Sequence, residues 1–211
     1  QRRMKPGTPK LLPQRLKRKV ISRLPFKLTE DQLSAIAEIE DDLGKPAAMA
    51  RLLQGDVGSG KTLVAFLTAL PYIELGYQAA LMAPTELLAR QHAETAARLL
   101  EPTGTRVAFL SGSLPEAKRV TLLDALAAGE IDLAVGTHAM FTETVSFHDL
   151  RYVIVDEQHR FGVMQRNALL EKGVSADLLL MTATPIPRTL ALTVFGDMDT
   201  TTIASLPPGR K

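Results

Sequence analysis

Eight consecutive residues form a pattern typical of phosphate binding: Gly55-Asp56-Val57-Gly58-Ser59-Gly60-Lys61-Thr62. They fit G-x-x-x-x-G-K-[ST] at every fixed position. The glycines let backbone N–H groups surround phosphate oxygens, and the following helix directs its positive end at the same anion. Lys61 is expected to reach the β and γ phosphates, and the Thr62 hydroxyl to coordinate Mg²⁺. The pattern therefore predicts a nucleoside triphosphate site, the alternative being a glycine-rich turn without a ligand.

A pair of acidic residues follows a predicted strand further along the chain. The apolar run 152–155 predicts a buried strand, and it leads directly into Asp156 and Glu157. Asp156 is expected to hold the metal through water, and Glu157 to polarise the attacking water. Together with Lys61, these two carboxylates are the residues that we expect to catalyse hydrolysis of the triphosphate.

Two residues upstream of the phosphate loop are candidates for recognising the base, which would make ATP the nucleotide. Gln32 could hydrogen-bond to the edge of an adenine, and Phe26 could stack on its face. Each residue also has an ordinary structural interpretation. Thr29-Glu30-Asp31-Gln32 fits a helix capping box, and Phe26 could simply pack against the protein. The two interpretations are compatible with each other.

Composition favours a folded domain that works away from membranes. The chain has 211 residues, of which 45% are apolar, and no cysteine. The lack of cysteine excludes disulfides and thiolate metal sites and fits a reducing cytosol. No stretch approaches the roughly 20 apolar residues of a membrane span, and no apolar segment follows the basic start. We therefore expect a cytoplasmic location and no membrane partner.

Charge is distributed unevenly along the chain. Residues 1–27 carry ten Lys or Arg and no Asp or Glu, which leaves residues 28–211 with 15 basic and 23 acidic residues and a net charge of −8. A basic arm can contact nucleic acid phosphates. The alternative is a solvated linker from a preceding domain. Because of four prolines, we expect ordered structure to begin near Leu28.

Strand and helix signals alternate after Leu28, which predicts an α/β fold with a mostly parallel sheet and helices on both faces. Strands are predicted at 51–54, 79–83, 106–110, 132–135, 152–155 and 178–182. Helices are predicted from the capping box to about Leu43 and at 61–70, 86–100, 115–128, 165–172 and 187–195. A second capping box is predicted at 113–116, and Gly129 is expected to end the helix that follows it.

The unusual residues of the chain lie just after the predicted strands. They include Gly55, Pro84-Thr85, Ser111-Gly112-Ser113, Gly136-Thr137-His138, Asp156-Glu157 and Thr182-Ala183-Thr184. In an open α/β sheet, ligands bind outside the carboxyl ends of the strands. We therefore expect one edge of the sheet to carry the chemistry.

In their order, the motifs resemble those of superfamily 2 helicases and translocases. GDVGSGKT is followed by APTELLARQ at 83–91, GTH at 136–138, DEQHRFG at 156–162 and TATPIPRT at 182–189. The last two narrow the resemblance to the RecG branched-DNA translocases and the Mfd transcription-repair coupling factors. Gln158, PFKLT at 25–29 with Gln32, and LPPGRK at 206–211 are similar to RecG, whereas Mfd usually has glutamate at 158.

The RecG resemblance covers about residues 25–211 and implies a RecA-like P-loop NTPase domain. That domain, at 28–211, would be the first motor domain of an ATP-driven translocase acting on branched duplex DNA in repair and recombination. Residues 1–27 would be the basic arm from a preceding domain. A second RecA-like domain of the same parent chain would supply an arginine finger. The alternatives are an Mfd-like motor that acts on RNA polymerase, or a P-loop kinase or nucleotide-gated module.

The resemblance also implies roles beyond the nucleotide site. Residues coupling the nucleotide state to DNA or to the second domain would be Gln158, His159, Thr182 and Thr184. Residues facing DNA would be Thr85, Arg90, Thr137, His138 and Arg188, the alternative for Arg188 being a pairing with Asp or Glu across the site. Ordinary interpretations stand beside these roles: Thr85 is a suitable helix N-cap, His159 could be a surface or core histidine, and 182–187 could be a Thr-Pro turn.

Overall fold

The computed structural model describes residues 11–142, 144–156, 176–184 and 198–205. Five α-helices lie within these ranges: α1 (Arg15–Ile21), α2 (Glu30–Leu43), α3 (Lys61–Glu74), α4 (Glu86–Leu100) and α5 (Glu116–Ala127). Short 3₁₀ segments lie at Glu101–Thr103 and His138–Phe141. None of the described helices combines the length and the hydropathy that crossing a bilayer requires. The predicted helices at 165–172 and 187–195 lie outside the described residues.

In the part of the chain that the structure describes, seven strands form one sheet: β1 (Ala50–Gly55), β2 (Gln78–Met82), β3 (Val107–Leu110), β4 (Leu133–Gly136), β5 (Leu150–Asp156), β6 (Asp177–Thr182) and β7 (Asp199–Ile203). Their order across the sheet is β3-β4-β2-β5-β6-β1-β7, and each neighbouring pair is parallel. Parallel neighbours require crossover connections, which is why helices separate most strands along the chain. The predicted α/β fold with a parallel sheet is confirmed.

Both faces of the central strands are buried. In β1, Leu53 joins an apolar cluster with residues of α1 to α4, whereas Leu52 joins a cluster on the other face with Leu126 of α5. In β5, Ile154 and Val155 divide between the same two clusters. Successive strand residues point to opposite faces, so burial of both faces requires a continuous apolar run.

Helix α3 lies inside the protein, as its uniformly apolar sequence predicts. It is buried from Val64 to Ile73 and runs through Pro71 to Glu74, beyond the predicted end at residue 70. Tyr72 and Ile73 are both buried. Packing of these side chains therefore extends the helix past a residue that weakens it.

The expectation that order begins near Leu28 is wrong, because α1 lies within the basic arm. Leu16 and Val20 are buried in the cluster that contains α3. Glu74 of α3 accepts hydrogen bonds from the backbone N–H of Leu16 (2.9 Å) and from Arg15 Nε (3.1 Å). Apolar burial and this carboxylate together dock α1, although prolines flank it. Residues 1–10 lie outside the described residues.

The charges of α1 also have partners within the domain. Lys17 Nζ lies 2.6 Å from the Glu40 carboxylate of α2, and both side chains are largely buried. Arg15, by contrast, is exposed beside Glu74. Part of the positive charge that suggested a nucleic acid contact therefore serves to attach α1 to the domain.

Strand β7 was not predicted from the sequence. Its residues, Asp-Thr-Thr-Thr-Ile, lack an apolar run because β7 is an edge strand in which Thr201 and Ile203 are buried. Thr201 Oγ1 donates to Glu38 (2.6 Å) and accepts from Arg51 (2.7 Å). Hydrogen bonding to a buried arginine thus replaces the hydrophobicity that identifies the inner strands.

The predicted capping box at 113–116 is wrong. Pro115 is the N-cap of α5, and no described side chain caps that end. Ser113 Oγ instead donates to the Glu86 carboxylate at 2.6 Å. The predicted end of α5 is confirmed, since Gly129 follows the helix with φ of 77°, in the left-handed region that glycine favours.

Leu16→Ala should lower the free energy of unfolding by about 2–5 kcal/mol, because truncating a buried leucine leaves a cavity. Leu11→Ala is the matched control, since Leu11 is 94% exposed, and its effect should stay within about 0.5 kcal/mol. Urea denaturation followed by circular dichroism measures both. Equally small effects would contradict the docking of α1.

Candidate nucleotide and nucleic-acid site

The phosphate loop connects the carboxyl end of β1 to the start of α3. Gly58 and Gly60 have φ of 85° and 89°, and Gly60 is the N-cap of α3. A Cβ on Gly55 would lie 2.6 Å from Ser59 Oγ and 2.9 Å from the Ile203 carbonyl oxygen. A Cβ on Gly60 would collide with the Gln32 side chain. The glycines of the motif are therefore required by backbone conformation and by close neighbours.

Two polar side chains of the loop, Ser59 and Lys61, are buried. Lys61 is largely buried, and its Nζ donates to the carbonyls of Gly55 (2.5 Å) and Asp56 (3.0 Å). Ser59 Oγ is buried, with no hydrogen-bond partner among the described residues. A loop that presents a lysine, an unsatisfied hydroxyl and the N-terminus of α3 fits an anionic phosphate ligand.

The predicted metal residues lie at one cavity with the loop. This cavity has a volume of about 320 Å³ and is lined by Val57, Gly58, Gly60, Lys61, Thr62, Asp156 and Ala183. A hydroxyl oxygen and a carboxylate oxygen are ligands that Mg²⁺ accepts, usually together with water and substrate phosphates. The structure therefore brings Lys61, Thr62 and Asp156 together as predicted, and their chemistry fits Mg²⁺ with a phosphate.

His92 is a member of this site that the sequence reasoning missed. Its Nε2 lies 2.6 Å from Asp156 Oδ2, and both side chains are mostly buried. The carboxylate can only accept, so Nε2 donates. The sequence could have indicated His92 by its position, because it directly follows the 83–91 motif and therefore lies on the helix next to the site.

Gln32 contacts the phosphate loop as well as capping α2. Its Oε1 accepts from the Thr29 N–H at 3.0 Å, and Thr29 Oγ1 accepts from the Gln32 N–H at 3.2 Å. This confirms the predicted capping box. Gln32 Nε2 donates to the Ser59 carbonyl at 2.8 Å, and this hydrogen bond is buried. The residue thus ties the start of α2 to the loop that would hold the phosphates.

A larger cavity adjoins the phosphate loop on the side of Gln32. Its volume is about 960 Å³. Phe26 lines it and is 50% exposed, so its ring is accessible from the cavity. Gln32, Gly58 and Gly60 also line it, which connects the cavity to the loop. Mostly apolar walls with a few polar groups are typical of a small-molecule pocket.

The predicted DNA-facing residues of α4 make local contacts. Thr85 is the N-cap of α4, and its Oγ1 accepts from the Leu88 N–H at 3.3 Å, which confirms the structural interpretation. Arg90 is exposed, with its guanidinium 5.0 Å from the Phe109 ring centroid and 3.8 Å from Glu86. Arg90 therefore lies at the surface, with its guanidinium over the ring of Phe109.

The loop after β3 meets the start of α4 through Glu86. Ser111 Oγ and Ser113 Oγ donate to the same oxygen of Glu86, at 2.5 and 2.6 Å. These hydrogen bonds hold the pKa of the Glu86 carboxyl below its ordinary value. The loop predicted to lie at the functional edge is thus fixed to the 83–91 motif.

The remaining candidates lie at the same edge of the sheet or outside the described residues. Thr137 and the exposed His138 follow β4. Thr182 is the last residue of β6 and Thr184 follows the strand, with their hydroxyl oxygens 3.2 Å apart and the Thr184 N–H donating to Thr182 Oγ1. Glu157, Gln158, His159 and Arg188 lie outside the described residues.

The chain is similar in sequence to known helicases. The sequence model of the DEAD/DEAH box helicases matches residues 29–193. The chain is 60% identical over 203 residues to the ATP-dependent DNA helicase RecG of Treponema pallidum (strain Nichols), covering 93% of the chain and 30% of that protein. It is 54% identical over 199 residues to RecG of Escherichia coli O157:H7, covering 92% and 29%. The chain thus spans under a third of these relatives.

Solved structures give the same result. The structure of RecG bound to a three-way DNA junction matches with a TM-score of 0.83 and 43% identity, over 97% of this chain and 27% of that one. The DEAD-box helicase Mss116 bound to ssRNA and UDP-BeF has a TM-score of 0.68 at 17% identity, over 91% of this chain and 43% of that one, and supports the fold alone. The predicted RecA-like fold and the resemblance to RecG are confirmed.

Gln32→Glu should weaken binding of a fluorescent ATP analogue about tenfold or more. The substitution keeps the acceptor for the Thr29 N–H but removes the donor to the buried Ser59 carbonyl, a loss of about 1–3 kcal/mol. Thr29→Ala is the control, because it removes the cap hydroxyl at a cost of about 1 kcal/mol of stability and leaves the loop contact. Equal losses of affinity in both variants would show that capping alone matters.

Proposed function

The chain belongs to the DEAD/DEAH box helicase family, and on that basis we propose that it is the ATP-binding motor domain of a superfamily 2 DNA translocase that remodels branched DNA. The observation that carries this proposal is the cavity shared by Lys61, Thr62 and Asp156, in a chain that is 60% identical to a RecG helicase. The likeness to RecG rather than to a coupling factor disfavours the Mfd-like alternative. The helicase family match likewise disfavours a P-loop kinase.

ATP would lie across both cavities of the site. Its phosphates would take the hydrogen bonds of the loop and the charge of Lys61, which now bonds to the Gly55 and Asp56 carbonyls. Thr62 and Asp156 would hold Mg²⁺, whose charge offsets the negative charge of the phosphates. The base would enter the larger cavity, where Phe26 offers a ring face and Gln32 an amide.

Hydrolysis requires a group that orients the attacking water. Glu157 directly follows Asp156 at the end of β5, and we assign it this role. Asp156 would remain the metal-ordering carboxylate. An arginine finger typically contributes about 10³–10⁵ in rate. If a second RecA-like domain supplies it, the present chain should bind ATP but hydrolyse it slowly.

DNA would contact the same edge of the sheet that holds the nucleotide. Arg90 and His138 are exposed there, and Thr85 and Thr137 follow neighbouring strands β2 and β4. Thr182 and Thr184 would relay the nucleotide state, together with Gln158 and His159, and Arg188 would add a phosphate contact. The proposed translocase would use nucleotide-dependent movement against the second domain to advance along duplex DNA.

Lys61→Ala should abolish binding of a fluorescent ATP analogue, because the variant lacks the cation that meets the phosphates. Glu157→Gln should retain binding while the turnover number falls by about 10²–10⁴. Lys118→Ala, an exposed lysine on α5, is the control and should leave both properties unchanged. Retained hydrolysis in Glu157→Gln would remove that residue from its assigned role.

ATP hydrolysis by the full-length parent protein should rise most with branched DNA. The measurement compares the rates without DNA, with linear duplex and with a synthetic fork at equal concentration and salt. We expect the order fork, duplex, no DNA, since a remodelling motor should be most active on its own substrate. Equal rates in all three conditions would refute the proposed coupling to branched DNA.

A further inference from the structure

The hydrogen bond between His92 and Asp156 joins two motifs that are far apart in sequence. Nε2 lies 2.6 Å from Oδ2 of the carboxylate, and the exposed fractions of the two side chains are 14% and 12%. Such shielding from water strengthens the contact. One carboxylate oxygen accepts from the ring, which leaves the other for the metal or its water.

The order of the strands explains how α4 reaches this carboxylate. Helix α4 follows β2, and β2 pairs directly with β5, whose last residue is Asp156. Ala89, Ala93 and Ala96 are buried on the same side of α4 as His92. Their small side chains let the helix approach the sheet closely enough for the imidazole to reach the carboxylate.

The other side of α4 is open to solvent at the edge where DNA would bind. Arg90 is exposed and lies two residues before His92, so the two side chains point to roughly opposite sides of the helix. Thr85 caps the same helix, and Glu86 anchors the loop after β3. A displacement of α4 by DNA would therefore move His92 relative to Asp156.

We propose that His92 is a positioning residue for ATP hydrolysis, which orients the Asp156 carboxylate for Mg²⁺ and links it through α4 to the DNA-facing edge. This inference rests on the proposed function. Histidine suits the role because its ring is rigid and its Nε2–H can hold a single carboxylate oxygen. The role differs from that of a metal ligand, since the carboxylate lies between the ring and the metal.

Two amide substitutions in the full-length protein test whether the side chain at position 92 must be long enough to reach Asp156, since both variants carry a polar amide. His92→Gln places an amide donor at a distance from Cβ similar to that of Nε2, whereas the shorter His92→Asn does not reach Asp156. The probe is a fluorescent, non-hydrolysable ATP analogue, titrated with MgCl₂ and, separately, in EDTA. In His92→Asn the MgCl₂ concentration for half-maximal binding should rise about 10–100-fold, while affinity in EDTA changes less than about threefold.

In His92→Gln the MgCl₂ concentration for half-maximal binding should lie within about threefold of the parent protein's value. Loss of a group that hydrogen-bonds to a metal ligand, by contrast, typically costs about 10–100-fold in metal affinity. Glu94→Ala, at an exposed position on α4, is the control and should match the parent protein. If His92→Asn lost affinity for the ATP analogue equally with Mg²⁺ and in EDTA, His92 would only support the fold of the site. An unchanged Mg²⁺ dependence in His92→Asn would also overturn the inference.

A double-mutant cycle with Asp156→Asn tests whether His92 acts through that carboxylate. His92→Asn should add no further change in Mg²⁺ dependence to Asp156→Asn, and additive effects would overturn the role. Fork stimulation of ATP hydrolysis should also fall in His92→Asn relative to Glu94→Ala, and unchanged stimulation would overturn the link to DNA. If the parent protein itself shows no fork stimulation, the proposed function fails, whereas the Mg²⁺ titrations still test the positioning of Asp156.

Discussion

The parallel alignment of the seven strands is the constraint on which the site depends. Because neighbouring strands run in one direction, the loops after β1, β2, β3, β4, β5 and β6 all meet at the same edge of the sheet. Residues as distant in sequence as Thr62, Asp156 and Ala183 consequently line one cavity. Burial of both faces of the sheet is what maintains this alignment, since each central strand contributes apolar side chains to two clusters.

The first turn of α2 hydrogen-bonds to two segments that are distant from it in sequence. Gln32 holds the phosphate loop through the Ser59 carbonyl, and Asp31 beside it accepts from the backbone N–H groups of Ala204 and Ser205 (3.0 and 2.7 Å). The hydrogen bonds from Ser205, chiefly from its backbone, lower the pKa of Asp31. One turn of helix therefore connects the loop to the segment that follows β7, the last strand described.

Buried polar groups hold the amino ends of the strands, at the side of the sheet away from the site. Asp177, at the start of β6, accepts from the Met49 N–H (2.6 Å) and from the Tyr72 hydroxyl of α3. Burial, followed by the charge of Asp177 and its hydrogen bond, raises the pKa of Tyr72, which keeps that hydroxyl a donor. The Arg51 guanidinium bonds to Asp42 at 2.6 Å and to Thr201, which attaches the edge strand β7. Such paired groups keep β1 aligned with its neighbours, and breaking one pair would leave a buried charge.

The sequence by itself determined the fold class and most elements of the described residues, and it predicted most of the residues proposed for the nucleotide site. Short continuous apolar runs that alternate with helical segments indicate inner strands of a sheet covered on both faces, and the glycines of 55–60 indicate a close backbone turn. These are local properties, and they are therefore readable residue by residue.

Only the tertiary structure decided which distant residues touch. The contact of His92 with Asp156 depends on the adjacency of β2 and β5, and the bond from Gln32 to Ser59 depends on the placement of α2. Helix α1 and strand β7 escaped prediction because each is held by partners elsewhere, a carboxylate on Glu74 and a guanidinium on Arg51. A sequence pattern records what a segment can bury or bend, whereas strand order and packing decide what each side chain meets.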